Sequence, residues 1–348
     1  MAAGLATGVG LSPLACAGNG DDVYSVPAAL KAADAGADAS KGLDSTPGED
    51  GEDAESGAQD APAEALEAAG DAADASTPTL ALLRMANWSA DSPQVDFCLA
   101  VHGTAAFHGP VLAANAAAIN KVGGLDAGSG ALSFPQASSY LVVEPAQYDA
   151  RLVAGGSVDC STAIMPDATS LPALASAGRE TLALFGSAHP QSTDLKLQIL
   201  GFLDDSKSLL TALLIRGINA SLDLAKMDMG TTSAGMFSPI VNHISFGGSS
   251  IGQYAVGTLM PDPNGYVITS PLASATLAVY ASDTAMPGGM LATPLGQASN
   301  VSVGAGGVLT LVVVGRTSSS GGSGLRILAC VDNAATAGLV GNCQILSQ

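Results

Sequence analysis

The sequence predicts an all-β protein built from two tandem β-sandwich domains, and three observations carry that expectation. A pattern occurs twice: Leu83-Arg84-Met85-Ala86-Asn87-Trp88-Ser89 returns as Ile215-Arg216-Gly217-Ile218-Asn219-Ala220-Ser221. Three further landmarks recur in the same order. Tyr140 and Tyr266 each stand five residues before a proline (Pro145, Pro271), Thr181-Leu182-Ala183-Leu184-Phe185-Gly186 matches Thr310 to Gly315, and Leu197 to Asp204 matches Leu325 to Asp332. Offsets stay between 126 and 132 residues, and a period that long means two folding units rather than a solenoid. Composition is the second observation. Charged residues make up only 12% of the chain and aromatics 4%, with 42 glycines, against about 25% charge in a typical domain. Third, Pro and Gly punctuate the chain every ten residues or so, the spacing of short antiparallel strands.

Residues 1–16 read as an export segment. Ala2 to Ala15 is small and apolar and ends at Cys16, with Gly, Asn and Asp behind it. The segment resembles the signal of a bacterial lipoprotein, in which that cysteine is lipidated. Pro13 stands where the lipoprotein box has Leu, and no Lys or Arg precedes Lys31. Ala15-Cys16-Ala17 also satisfies an A-x-A cleavage site, so two export routes stay open. Residues 17–79 follow as an acidic, Ala-rich spacer. It holds fifteen Asp or Glu against two Lys, −13 of the chain's −19. With so little apolar surface to bury it is expected to be disordered. A coil of about sixty residues reaches roughly 40 Å, and like-charge repulsion extends it. Acidity disfavours nucleic acid as a partner. No run of 18 apolar residues offers a membrane span.

The repeats are placed at 80–207 and 208–348. Within them, Leu195 to Ile199 alternates apolar and polar as a half-buried strand does. Tyr148 to Val153 and Thr276 to Tyr280 are counterparts of one another. Leu309-Thr310-Leu311-Val312-Val313-Val314, bounded by Gly304 to Gly307 and Gly315, reads as a central strand buried on both sides. The Ala-rich stretch Ala113 to Ile119 reads as a short surface helix.

Five cysteines occur: Cys16, Cys98, Cys160, Cys330 and Cys343. Lipidation uses Cys16, and A-x-A cleavage removes it. Either way four remain, two per repeat, which predicts the disulfides Cys98–Cys160 and Cys330–Cys343 and an oxidising compartment. Metal binding is the poorer reading, because no CxxC or HxxxH spacing is present.

Asn87-Trp88-Ser89-Ala90-Asp91-Ser92-Pro93-Gln94-Val95-Asp96 resembles the opening signature of a bacterial exported domain-of-unknown-function family, roughly N-x-S-P-D-A-P-x-V-D. Ala90 and Ser92 replace the family's Pro and Ala. Repeat two keeps Asn219 and Ser221 and departs from most of the aspartate pattern. The resemblance covers residues 80–348. It implies an immunoglobulin- or transthyretin-like β-sandwich, often in tandem on exported or lipid-anchored proteins, with no established activity. Physically, Asn87, Ser89, Asp91, Pro93 and Asp96 read as a structural turn: short polar side chains bond nearby amides, and Pro93 fixes the exit toward the next strand.

Other motifs carry less. Gly248-Ser249-Ser250-Ile251-Gly252 satisfies G-x-S-x-G, but no helical pattern follows it as a nucleophile elbow requires. A secreted serine hydrolase would use Ser250 with His243 or His189. His102 and His108, if on one strand, would lie about 20 Å apart, too far to share a metal. No catalytic residue, cofactor or metal ligand is therefore assigned. The expectation is a non-catalytic exported protein, lipid-anchored in the cell envelope or at the outer surface, presenting two sandwiches to an extracytoplasmic partner. Glycan, matrix polymer and surface protein are the partner classes. The alternatives are the hydrolase and a structural envelope or coat component, which should self-associate.

Overall fold

The alternating faces of four strands explain the architecture. In β1 (Ala81–Asn87), Leu83 and Met85 enter one hydrophobic cluster while Ala86 enters another. β6 (Arg179–Phe185) divides the same way, Leu182 and Leu184 against Ala183 and Phe185. β8 (Leu213–Ser221) sends Leu213 and Ile215 inward and Ile218 and Ala220 outward. β14 (Val308–Gly315) sends Leu309, Leu311 and Val313 inward and Val312 and Val314 outward. With a side-chain period of two, a strand covered on both faces reads as a continuous apolar run. Both faces are covered here because the outer face of each half packs against the other half.

The computed structural model describes residues 80–115, 130–190, 195–204, 207–249, 261–282, 293–318, 324–333 and 343–347. The expected leader with Cys16, the acidic spacer and Ser250 lie outside the described residues. The remaining strands are β2 (Val95–Val101), β3 (Leu141–Val143), β4 (Ala146–Ala154), β5 (Ala173–Leu174), β7 (Gln198–Leu203), β9 (Lys226–Ser233), β10 (Met236–Ser245), β11 (Val267–Thr269), β12 (Leu272–Ala281), β13 (Gly296–Val303), β15 (Arg326–Val331) and β16 (Cys343–Ser347). They form a chain that is almost entirely β, arranged in separate sheets that make sandwich-like domains.

The first half pairs sheet β3-β1-β6-β7 with sheet β2-β4-β5. The second pairs β11-β8-β14-β15-β16 with β10-β9-β12-β13. Topology repeats: β1 runs parallel to β6 with Leu82 opposite Arg179, and β8 runs parallel to β14 with Leu214 opposite Val308. Each half closes over its own core, one around Leu83, Phe97, Leu152 and Leu182, the other around Ile215, Met229, Leu277 and Leu311. A third core joins the halves. It contains Trp88, Phe185 and Phe202 from the first half and Ile218, Val314, Leu328, Cys330 and Cys343 from the second.

Two expectations shift. The strand expected over 195–199 begins at Gln198; before it, Lys196 makes a single parallel bridge with Ser187 and Leu195 is 53% exposed. The neighbouring strand explains this. β6 ends at Phe185, and Gly186, at φ +92°, turns the chain away and leaves 195–197 without a full ladder. The Ala-rich helix starts earlier than the composition indicated. α1 (Val111–Ala114) buries Val111 and Leu112, and residues 116–119 lie outside the described set. The anchor is tertiary: the Asp96 carboxylate accepts the backbone N–H groups of Leu112 and Ala113.

Candidate functional site

Beside the third core, two arginines and two aspartates are almost wholly buried. Arg84, Arg216, Asp204 and Asp332 are all at most 1% exposed. Arg84 Nη2 donates to Asp332 Oδ1 at 2.6 Å, its Nη1 to the Val331 carbonyl, and its Nε to Thr181 Oγ1. Arg216 mirrors this, with Nη2 to Asp204, Nη1 to the Leu203 carbonyl, and Nε to Thr310 Oγ1. Each aspartate's other oxygen accepts two hydroxyls from its own half: Tyr140 and Thr181 on Asp204, Tyr266 and Thr310 on Asp332. Each guanidinium also lies over a ring, Arg84 over Tyr140 at 4.7 Å and Arg216 over Tyr266 at 4.6 Å. All four landmarks of the sequence repeat meet in this cluster.

The local chain places these groups simply. Thr181 and Thr310 face the arginines across the parallel pairs Arg84–Thr181 and Arg216–Thr310, and Asp204 and Asp332 follow directly on β7 and β15. Burial penalises every charge here. For Asp204 it pushes the carboxyl up, yet Arg216, Arg84 and the Thr181 hydrogen bond bring it below the ordinary carboxylate range. For Arg84, burial works against the cation, and Tyr140, Asp332 and Asp204 more than offset it. Burial raises both phenols, which stay protonated as donors. For Asp332 burial and the nearby Asp204 charge push the carboxyl up, against the pull of Arg84 and Arg216, and each oxygen of both carboxyl groups has a hydrogen-bond partner. A substrate cannot reach groups that water does not reach, so this cluster joins the halves rather than binding a ligand.

The family-like turn proves to be a brace at the other end of the strands. Asn87 accepts the Ser89 N–H and donates to the Pro93 and Leu132 carbonyls. Asp91 takes the Ser187 hydroxyl and the Ala188 N–H at 2.9 Å, tying the exit of β1 to the exit of β6. Repeat two does the same. Asn219 accepts the Ser221 N–H, and Asp223 accepts the Thr317 and Ser318 amides and hydroxyls. Despite partial burial, those four bonds hold the Asp223 carboxyl down at about 2. Asp228 stands where Asp96 does; Asp96 accepts the Phe97 N–H, and Asp228 accepts the His243 N–H. Repeat two thus keeps both aspartates at the spacing of repeat one, Asp223 for Asp91 and Asp228 for Asp96, and the reading that it departs from most of that pattern is corrected.

The cysteine sulfurs lie at bonding distance in the pairs Cys98–Cys160 and Cys330–Cys343. The first ties the 155–167 loop to β2, and the second sits inside the joint between the halves. Among the histidines, His102 Nδ1 lies 2.7 Å from Asp149 Oδ1, and His108 pairs with Leu99 after the chain turns at 102–107. His243 Nδ1 is 3.9 Å from Asp228 Oδ1, beyond hydrogen-bonding reach, and that oxygen already accepts the His243 N–H and the Ser282 hydroxyl. His189 N–H donates to Asp91 and Ser187. Among the described residues no group of three or more His, Cys, Asp or Glu is placed to hold a metal, and no helix is long and apolar enough to cross a membrane. Trp88, the only tryptophan, is 1% exposed and packs edge-on against Phe185 at 5.5 Å. No described aromatic side chain falls in the exposed class.

Fold and site together define a disulfide-bonded protein of paired β-sandwiches. No protein-family model matches the sequence. No curated protein matches it either. Among solved structures, one match is the carbohydrate-binding module CBMbc, of family CBM26, from Eubacterium rectale Amy13K in complex with maltoheptaose. It is 12% identical, covers 68% of this chain and 93% of that one, and has a TM-score of 0.16. A likeness at that score carries no argument about this chain's ligand.

The joint between the halves was missed in the sequence, although its signal was present. A lone arginine inside Leu82-Leu83-Arg84-Met85-Ala86 or Leu214-Ile215-Arg216-Gly217-Ile218 is a charge that needs a buried partner. Which carboxylate supplies it depends on how the halves dock.

Proposed function

We propose that this is an exported, non-catalytic protein, anchored through lipidated Cys16, that holds a two-sandwich unit on an acidic tether and presents it to an extracytoplasmic partner. The carrying observation is the pair of disulfides, one in each half, since such bonds persist in oxidising compartments. The closed charge cluster supports the reading as well. It makes the tandem a single body, suited to display rather than to hinged closure around a substrate. Of the partner classes, a glycan is the least supported, because carbohydrate stacking favours exposed aromatic faces and Trp88 is buried. A protein surface or a polar polymer fits the exposed loops better.

Fractionation of cells expressing the wild type and Cys16→Ala tests the reading. The wild type is expected in the membrane fraction and the variant in the soluble extracytoplasmic fraction. An unchanged distribution sinks the anchor. A serine-reactive fluorophosphonate probe separates the hydrolase alternative, and stoichiometric labelling of Ser250, lost in Ser250→Ala, would overturn the non-catalytic assignment.

A further inference from the structure

The two repeats fill one aspartate differently. Asp96 and Asp228 stand at the same place on the second strand of each half. The Asp96 carboxylate is taken up by three backbone N–H groups, those of Phe97 and Leu112 on Oδ1 and that of Ala113 on Oδ2. Asp228 receives the His243 N–H at 2.7 Å and the Ser282 hydroxyl at 2.8 Å, both on Oδ1, and among the described residues no hydrogen bond reaches its Oδ2. Asp228 is 5% exposed, and among the described residues the one basic group near it is His243 Nδ1, 3.9 Å away. β10 supplies a second such acceptor. Its ladder with β9 passes from Val241 opposite Met229 to Ile244 opposite Met227, which sets Asn242 and His243 together against Asp228 as a bulge. Met227 and Met229 enter the core, so Asp228, between them, stands on the other face of the sheet. Asn242 is 8% exposed, and its Oδ1 is buried with no hydrogen-bond partner. His243 holds the bulge at φ +55°, a left-handed conformation uncommon outside glycine. Buried polar atoms are nearly always partnered. Two acceptors without a donor, on the two strands of one bulge and one of them a carboxylate, call for positive charge.

We propose that Asp228 Oδ2 and Asn242 Oδ1 bind a hard divalent cation of the calcium class at this bulge, with the Ser282 hydroxyl oxygen and water as further ligands. Carboxylate, amide and water oxygens are the donors that calcium takes, in an irregular shell. Magnesium demands a near-ideal octahedron and gives up its water reluctantly, and two oxygens fixed on neighbouring strands do not impose one. The His243 side chain is 43% exposed, so water reaches the edge of the site. A single carboxylate makes for weak binding, in the class of about 0.1–1 mM that serves extracellular modules. The bound ion ties β10, the edge strand of its sheet, to β9 at a break in their ladder. The proposal does not depend on the partner or on the anchor, so either can fail without touching the other.

Calcium titration of the full-length protein at fixed ionic strength tests it, with magnesium as the comparison. The acidic spacer also takes up calcium, so total bound metal is not the readout. The readouts are the amide resonances of His243 and the melting temperature of the fold. The His243 resonances are expected to move saturably with a midpoint near about 1 mM calcium. The melting temperature should rise with calcium concentration, as binding to the folded state requires, and magnesium should shift both less. Asp228→Asn removes the charge while keeping an acceptor for the His243 N–H, and Asn242→Leu removes the unpartnered oxygen. Both variants should lose the calcium-dependent shifts. Without calcium, Asn242→Leu should melt no lower than the wild type, because no hydrogen bond is lost. If a variant does not fold, the wild-type titration decides alone. His243 resonances that ignore calcium, or shifts that survive in both variants, overturn the site and leave ordered water as the partner of the two oxygens.

Discussion

Arg84 and Asp332 lie 248 residues apart in sequence and 2.6 Å apart in space, with neither side chain exposed to solvent. Their contact spans the boundary between two sandwiches whose strand order repeats. Arg216 and Asp204 form its mirror image. A buried pair is weak evidence of net stabilisation, since desolvation opposes the attraction. It bears on specificity, because another docking of the halves would part Asp332 from Arg84 and Arg216 from Asp204, and only Arg84 and Asp204, 3.6 Å apart within the first half, would keep each other.

Removing one partner should therefore cost more than removing both. Arg84→Met is expected to destabilise the protein by about 3–5 kcal/mol, the usual penalty for stranding a buried charge. Adding Asp332→Leu should return part of that loss, giving a coupling energy of about 1–3 kcal/mol. Urea denaturation of the two single variants and the double variant measures the cycle. Additive losses would mean that the pair is not coupled.

Acid should loosen the turn brace at Asp223. The Asp223 carboxyl sits at about 2 in the folded chain, against an ordinary value of about 3.9. A depressed folded value means its stabilisation is complete above the ordinary value and is lost as pH falls toward the folded one. The difference in melting temperature between wild type and Asp223→Asn should be constant near neutrality, shrink below about pH 4, and approach zero near pH 2. A difference independent of pH would show that the carboxylate is not the source of the brace.

The two disulfides should contribute unequally. Cys98–Cys160 closes 62 residues and Cys330–Cys343 closes 13. Chain entropy then gives about 4 and about 3 kcal/mol respectively. Replacing each pair with alanines and comparing denaturant midpoints tests the order, and non-reducing peptide mapping tests the pairing. A larger loss from the shorter loop would show that the position of Cys330–Cys343 within the joint outweighs its chain-entropy term.

Gly186 should tolerate no side chain. Its φ of +92° already excludes ordinary residues, and a Cβ there would stand 2.2 Å from the Lys196 carbonyl oxygen. Gly186→Ala should lower stability by at least about 1 kcal/mol and weaken the Asp91 brace at the end of β6. At Gly156, where φ is +83° but nothing lies within 4 Å, the same change should cost less. Equal losses at the two sites would assign the effect to backbone strain alone.

What the sequence determined by itself was the kind of structure and its doubling. Period-two alternation, β-branched runs and glycine spacing depend on neighbours a few residues away, so β4, β12 and β14 were legible, as was the turn after Asn87. The recurrence of Arg84, Tyr140, Thr181 and Asp204 as Arg216, Tyr266, Thr310 and Asp332 was equally plain. Only the tertiary structure decided what that recurrence is for. Each arginine takes its carboxylate from the opposite half, and a pairing across 248 residues leaves no local spacing to read. Asp223 and Asp228 stand 132 residues after Asp91 and Asp96, the offset that also separates Arg216 from Arg84, so their places were legible, and only the groups that each carboxylate accepts were left to the fold. Local propensity wrote the strands, and the cost of burying charge determined how the two halves must meet.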